Sequence, residues 1–129
     1  MSQSGPIVFI SSRAPWSSSA PLACIEALMT TAVFDVPAQL VLIGEGVFQL
    51  LNGQDGSATG GRDVARMFGA LGLYGVTEIH VDAAALQRYG LALADLLAEQ
   101  DCEVPLHLHV SSAQDLQRLL AGSKVVFNF

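Results

Sequence analysis

Residues 38–44 read Ala38-Gln39-Leu40-Val41-Leu42-Ile43-Gly44, a short run that is apolar at nearly every position and ends on a glycine. A strand with one wet face alternates apolar and polar residues. A continuous apolar run suits a strand covered on both sides, as in a parallel sheet. The run Pro6–Ser11 has the same character. Working outward, Glu78–Asp82, Pro105–Val110 and Lys124–Phe129 complete five predicted strands, rich in β-branched residues. Helical spacing fills the intervals. Leu22, Ile25, Met29 and Ala32 share one face of a first helix, and Val64, Met67 or Phe68, and Leu71 share one face of a second. A short helix is predicted from Ala83, and another over Ala92–Gln100 after Gly90. For the last helix, Ser112 with Asp115 three residues on predicts a capping box, and Gly122 predicts a left-handed stop.

The resulting order, β-α-β-α-β-α-β-α-β, predicts an α/β fold: a single domain over 1–129 with a doubly wound five-stranded parallel sheet in a flavodoxin-like three-layer arrangement. No internal repeat is evident. Asn52–Gly61, with four glycines, reads as an exposed loop.

Composition narrows the function. Half of the chain is hydrophobic (51%) and 14% is charged, which argues against disorder. No apolar run approaches the roughly 20 residues that span a bilayer. Met1–Pro6 has no basic region ahead of its short apolar stretch, so a cytoplasmic protein without a membrane role is expected. The net charge is -6, and the fixed cations Arg13, Arg62, Arg66, Arg88, Arg118 and Lys124 are scattered. Direct nucleic-acid binding usually needs a basic stripe, so it is not expected here. Few charges on so apolar a chain also fit a subunit that buries surface against partners.

In an open sheet of this kind, ligands bind beyond the carboxyl ends of the strands. Those ends carry Ser11-Ser12-Arg13, Gly44-Glu45-Gly46 and Asp82. A dinucleotide fingerprint fails, because the first turn has no glycine and Gln49 stands where the third glycine after strand two belongs. A phosphorylatable receiver domain would suit Asp82 but needs an acidic pair after strand one, which Ser11 and Ser12 do not supply. His107 and His109 point to one face of strand four, with His80 on the neighbouring strand. They could hold zinc, or be plain strand residues, and no carboxylate second shell is evident. The expectation is no metal and no cofactor. Cys24 lies mid-helix among apolar residues, and Cys102 lies between Asp101 and Glu103, whose charges suppress thiolate. Both read as inert thiols.

One stretch departs from a generic α/β pattern: Gly46-Val47-Phe48-Gln49-Leu50-Leu51-Asn52-Gly53-Gln54. With Arg62-Asp63, Phe68, Leu71-Gly72-Leu73-Tyr74 and Ala83–Leu91, it resembles the TusC/DsrF branch of the DsrE/F/H-like sulfur-relay proteins. Arg13-Ala14-Pro15 and Val125–Phe129 also fit, so the resemblance spans nearly the whole chain. Val47, Phe48, Gln49, Leu50 and Leu51 have two readings from their position alone: a turn docking back on the core, or a partner-facing anchor. The resemblance favours the interface, because the family works as hetero-oligomers.

The resemblance implies persulfide relay from a cysteine desulfurase, through small carriers, to an enzyme that 2-thiolates the wobble uridine of certain tRNAs. It implies TusB-like and TusD-like partners in a heterohexamer, with the sulfur carriers met through a partner subunit. In active subunits the sulfur-bearing cysteine ends strand three in a C-x-x-A-like context. Here Asp82 occupies that position, and an aspartate holds no persulfide. Asp82 is instead expected to cap the helix that starts at Ala83. The chain is therefore expected to be a non-catalytic part of a sulfurtransferase complex. The alternatives are a stand-alone homo-oligomer binding a small ligand at its strand ends, a DsrEFH-like subunit of dissimilatory sulfur metabolism, and an active sulfurtransferase using Cys24 or Cys102.

Overall fold

The computed structural model describes residues 5–14, 19–50, 68, 70–92, 95–96 and 106–129. Five strands, β1 (Ile7–Ser11), β2 (Ala38–Leu42), β3 (Glu78–Asp82), β4 (His107–Ser111) and β5 (Val125–Asn128), form one sheet in the order β4-β3-β2-β1-β5. Every neighbouring pair is parallel. The α/β parallel-sheet expectation therefore holds. β2 stops two residues short of Gly44, which has a positive φ of 52° and turns the chain into a 3-10 segment, Gly44–Leu50. β4 is displaced by one residue from its predicted end, and Pro105 lies outside the described residues.

Three helices are described: α1 (Ala20–Val33), α2 (Ala83–Arg88) and α3 (Ala113–Ala121), with a 3-10 turn at Leu71–Tyr74. Pro21 falls in the first turn of α1, where a missing N–H costs no helical hydrogen bond. The face of α1 that is buried differs from the predicted one. Pro21, Cys24, Ile25 and Leu28 are buried, while Leu22, Met29 and Ala32 pack at the margin. The helix is apolar almost all round, so spacing alone does not select the inward stripe. Of the predicted second helix, Phe68 and Leu71 are buried in the core, while Val64 and Met67 lie outside the described residues. So do the loop 52–61 and most of the helix predicted at 92–100.

α3 starts as predicted. The Asp115 backbone N–H donates to Ser112 Oγ at 3.2 Å, and the Ser112 N–H donates to Asp115 Oδ2 at 3.4 Å. Its end does not follow the prediction. Gly122 is right-handed, at φ -88°, because Ser123 closes the last turn with its Oγ donating to the Leu120 carbonyl at 2.6 Å.

The two faces of the sheet are covered unequally. α1, the Gly44–Leu50 segment and α2 lie over the face that carries Phe9, Leu40, Leu42, Ile79 and Val81, which holds the main core. The opposite face has a smaller cluster in which Leu116 of α3 meets Val8, Ile10 and Val41. No helix among the described residues is long and apolar enough to cross a membrane.

Candidate functional site at the strand carboxyl ends

The chain runs β1 to β4 outward in one direction, then returns to place β5 on the other side of β1. The strand order thus reverses between β1 and β5, where a sheet of this kind opens a crevice. Here the chain bridges it. The Ser12 backbone N–H and Oγ both donate to the Phe129 carbonyl, at 3.3 and 3.1 Å, and the Phe129 N–H donates to the Ile10 carbonyl at 2.8 Å. The Phe129 and Phe127 rings flank Phe9, with centroids 6.2 and 5.4 Å away.

Beside this closure sits a buried polar knot. Gln49 is 2% exposed, and its Nε2 donates to Ser11 Oγ at 2.7 Å and to the Arg13 carbonyl at 2.9 Å. Gly46 makes this possible. A methyl group in its place would lie 2.2 Å from the Ser11 carbonyl oxygen, so only glycine lets the segment come close enough to β1. The Gly-Val-Phe-Gln block therefore ties the end of β2 to the end of β1. Val47 and Leu50 are buried in the chain's own core, Phe48 is half-buried with its ring 4.7 Å from Tyr89, and Leu51 lies outside the described residues. Of the four described residues expected at a partner interface, Phe48 is the one that keeps accessible surface. The tying role of Gln49 was not evident from composition. Its signal is a lone amide in an apolar run, one helical turn after a glycine.

The thiol and the acid at these ends have different fates. Cys24 lies against Ser11 on the buried face of α1. Burial pushes its thiol up to about 12, and the hydrogen bond with Ser11 opposes this only in part. A thiol held this high stays protonated at neutral pH, which disfavours it as a nucleophile. Cys102 lies outside the described residues. Asp82 caps α2, its Oδ1 accepting from the Ala84 N–H at 3.1 Å.

His80 and His109 pair on the sheet face opposite α1, and His107, two residues before His109 on β4, is exposed. Register pairs His80 with Val41 on one side and His109 on the other. The His80 and His109 rings stack at 5.1 Å, and His80 Nε2 meets Gln39 Oε1 at 2.6 Å. His109 Nε2 lies 3.3 Å from Glu78 Oε2, close enough for attraction but not aligned as a hydrogen bond. Burial, then the neighbouring His109, holds the His80 pKa below its ordinary value, with Glu78 pulling the other way. Among the described residues, no three His, Cys, Asp or Glu side chains are placed to share a metal ion.

The class of protein that follows is a parallel α/β unit whose strand-end crevice is bridged by its own chain and whose strand-three acid caps a helix. Likeness to known proteins supports the fold and family. Residues 6–129 match the DsrE/DsrF-like family, and the chain belongs to that family. It is 33% identical to Protein TusC of Escherichia coli O9:H4 (strain HS) over 125 residues, covering 95% of this chain and 98% of that one. It is 32% identical to the Protein TusC homolog of Vibrio vulnificus (strain CMCP6) over 123 residues, with the same coverage. The crystal structure of the ychN protein from E. coli superposes with a TM-score of 0.75 over 97% of this chain and 99% of that one, at 15% identity, which speaks to the fold.

Proposed function

We propose that this chain is a non-catalytic, TusC-like subunit of a cytoplasmic sulfur-relay complex that serves tRNA wobble-uridine 2-thiolation. The observation that carries this is the pairing of TusC likeness along 95% of the chain with an aspartate, used as a helix cap, at the end of β3. A relay needs a thiolate at an exposed, electropositive place. Asp82 offers none, and Cys24 is sealed in the core with a raised pKa. The partners are TusB-like and TusD-like subunits, one of which holds the sulfur. This chain supplies a rigid domain to the assembly, with Phe48 on the segment after β2 as one candidate contact.

The test is reconstitution with a cysteine desulfurase, labelled cysteine and the sister subunits of the same organism. Label is expected on a sister subunit, and tRNA thiolation is expected to survive the Cys24→Ala/Cys102→Ala double variant. Label retained on Cys102 of this chain would overturn the non-catalytic reading. A chain that ignores the sister subunits and forms a stable homo-oligomer would favour a stand-alone ligand-binding role.

A further inference from the structure

The end of the molecule opposite the strand carboxyl ends is unusually apolar. Four of its large hydrophobic side chains lie open to solvent: Val33 (61% exposed), Phe34 (73%), Leu73 (57%) and Tyr74 (43%). They come from two elements that pack together, the end of α1 with its capping residue Phe34 and the 3-10 turn Leu71–Tyr74; Val33 and Tyr74 line one hollow, and Phe34 and Leu73 are their chain neighbours. Tyr74 is shared by two adjoining hollows. One, of about 230 Å³, runs past Ala32, Asp35, Pro37 and Val76; the other, of about 460 Å³, runs past Glu26, Met29 and Val33. Scattered exposed hydrophobics need no explanation, but a contiguous patch around a groove marks an interaction surface.

Two further features say what kind of partner fits. The first is charge. The ionised groups lining the hollows are Glu26 and Asp35, and no lysine or arginine lines either among the described residues. The second is the shape of the turn. Asp35 holds a left-handed backbone at φ 58°, its N–H donating to the Ala32 carbonyl at 3.0 Å, and Pro37 then prevents α1 from continuing. This turn fixes Phe34 outward and the Asp35 carboxylate at the rim. A second copy of a chain with net charge -6 would bring acid to acid, so self-association through this face is disfavoured.

We propose that this corner is the docking surface for an apolar segment of a sister DsrE-like subunit, one that carries a lysine or arginine to meet Glu26 and Asp35. The inference rests on the reading of the chain as a complex subunit and adds to it a face and a partner chemistry. The apolar side chains supply the buried centre of the contact, and the two carboxylates set its orientation and salt dependence.

The experiment co-expresses the full chain with the TusB-like and TusD-like subunits of the same organism and measures how much of each is retained on purification. The Val33→Asp/Leu73→Asp variant alters side chains that are already exposed, so its melting temperature should stay within about 2 °C of the parent's. Retention of a sister subunit should drop by about tenfold or more. Asp35→Asn with Glu26→Gln keeps the left-handed turn; retention should weaken several-fold and lose its dependence on salt. Full retention by a folded Val33→Asp/Leu73→Asp chain overturns the surface while leaving the complex intact. Failure of the parent chain to retain either subunit overturns the complex itself. A parent that dimerises alone, and turns monomeric in Val33→Asp/Leu73→Asp, overturns the choice of occupant.

Discussion

At the scale of single residues, Gly46 and Gln49 explain the most specific block of the sequence. Gly46→Ala forces a methyl onto the Ser11 carbonyl, 2.2 Å away, and neither backbone can yield without moving β1 or β2. Overpacking of this kind costs about 1–3 kcal/mol, and a fall of that size in urea-unfolding stability is expected. Gln49→Ala removes one buried and one part-buried hydrogen bond and leaves the Arg13 carbonyl without this donor, for a loss of about 2 kcal/mol in the same measurement. Cys24 provides a chemical readout. With its thiol raised to about 12, iodoacetamide at pH 8 should spare Cys24 in the folded chain and modify it after urea unfolding, as peptide mapping by mass spectrometry would show.

At the scale of elements, both visible caps follow local rules. Ser112→Ala breaks the capping box of α3 and is expected to cost about 1 kcal/mol by denaturant titration. Asp82→Ala, which frees the Ala84 N–H, should cost a similar amount. An activated site would commonly trade stability for chemistry, so a stabilising Asp82→Ala would argue against a plain cap. Of the elements that departed from expectation, one did so for a local reason and one for a tertiary reason. Gly122 is not left-handed because the Ser123 hydroxyl already satisfies the Leu120 carbonyl. The buried stripe of α1 is set by contact with the sheet, with Cys24 meeting Ser11, and an all-round apolar helix does not declare that stripe in its spacing.

At the scale of the whole molecule, the sheet is clothed asymmetrically, and the uncovered part of the α3 face carries His80 and His109. His80 has a folded-state pKa below its ordinary 6.5, so the unfolded chain takes up a proton first as pH falls. Its contribution to stability is therefore present above pH 6.5 and is lost as pH drops through the lower folded-state value. Thermal melts from pH 8 to pH 5 should show this loss, and His80→Gln should flatten that part of the profile. At the opposite end, the apolar corner around Tyr74 has no counterpart in a monomer's needs, which is why it is read as an assembly surface.

Taken by itself, the sequence determined the parallel α/β class, the five strands and the start of α3, because these depend on short-range patterning: continuous apolar runs, turn residues and a serine three places before an aspartate. The DsrE/DsrF-like family was legible for the same reason, since its motif is contiguous. Tertiary structure alone decided how the described residues Gly46–Leu50 pack. Whether Val47 and Leu50 face the core or a partner, and whether Gln49 finds acceptors, depends on how closely the end of β2 approaches β1. That distance is set by Gly46 against a carbonyl 35 residues earlier in the chain. It also decided that Val33 and Tyr74, each beside a second exposed hydrophobic residue (Phe34 and Leu73), line one hollow, because α1 and the turn before β3 pack together.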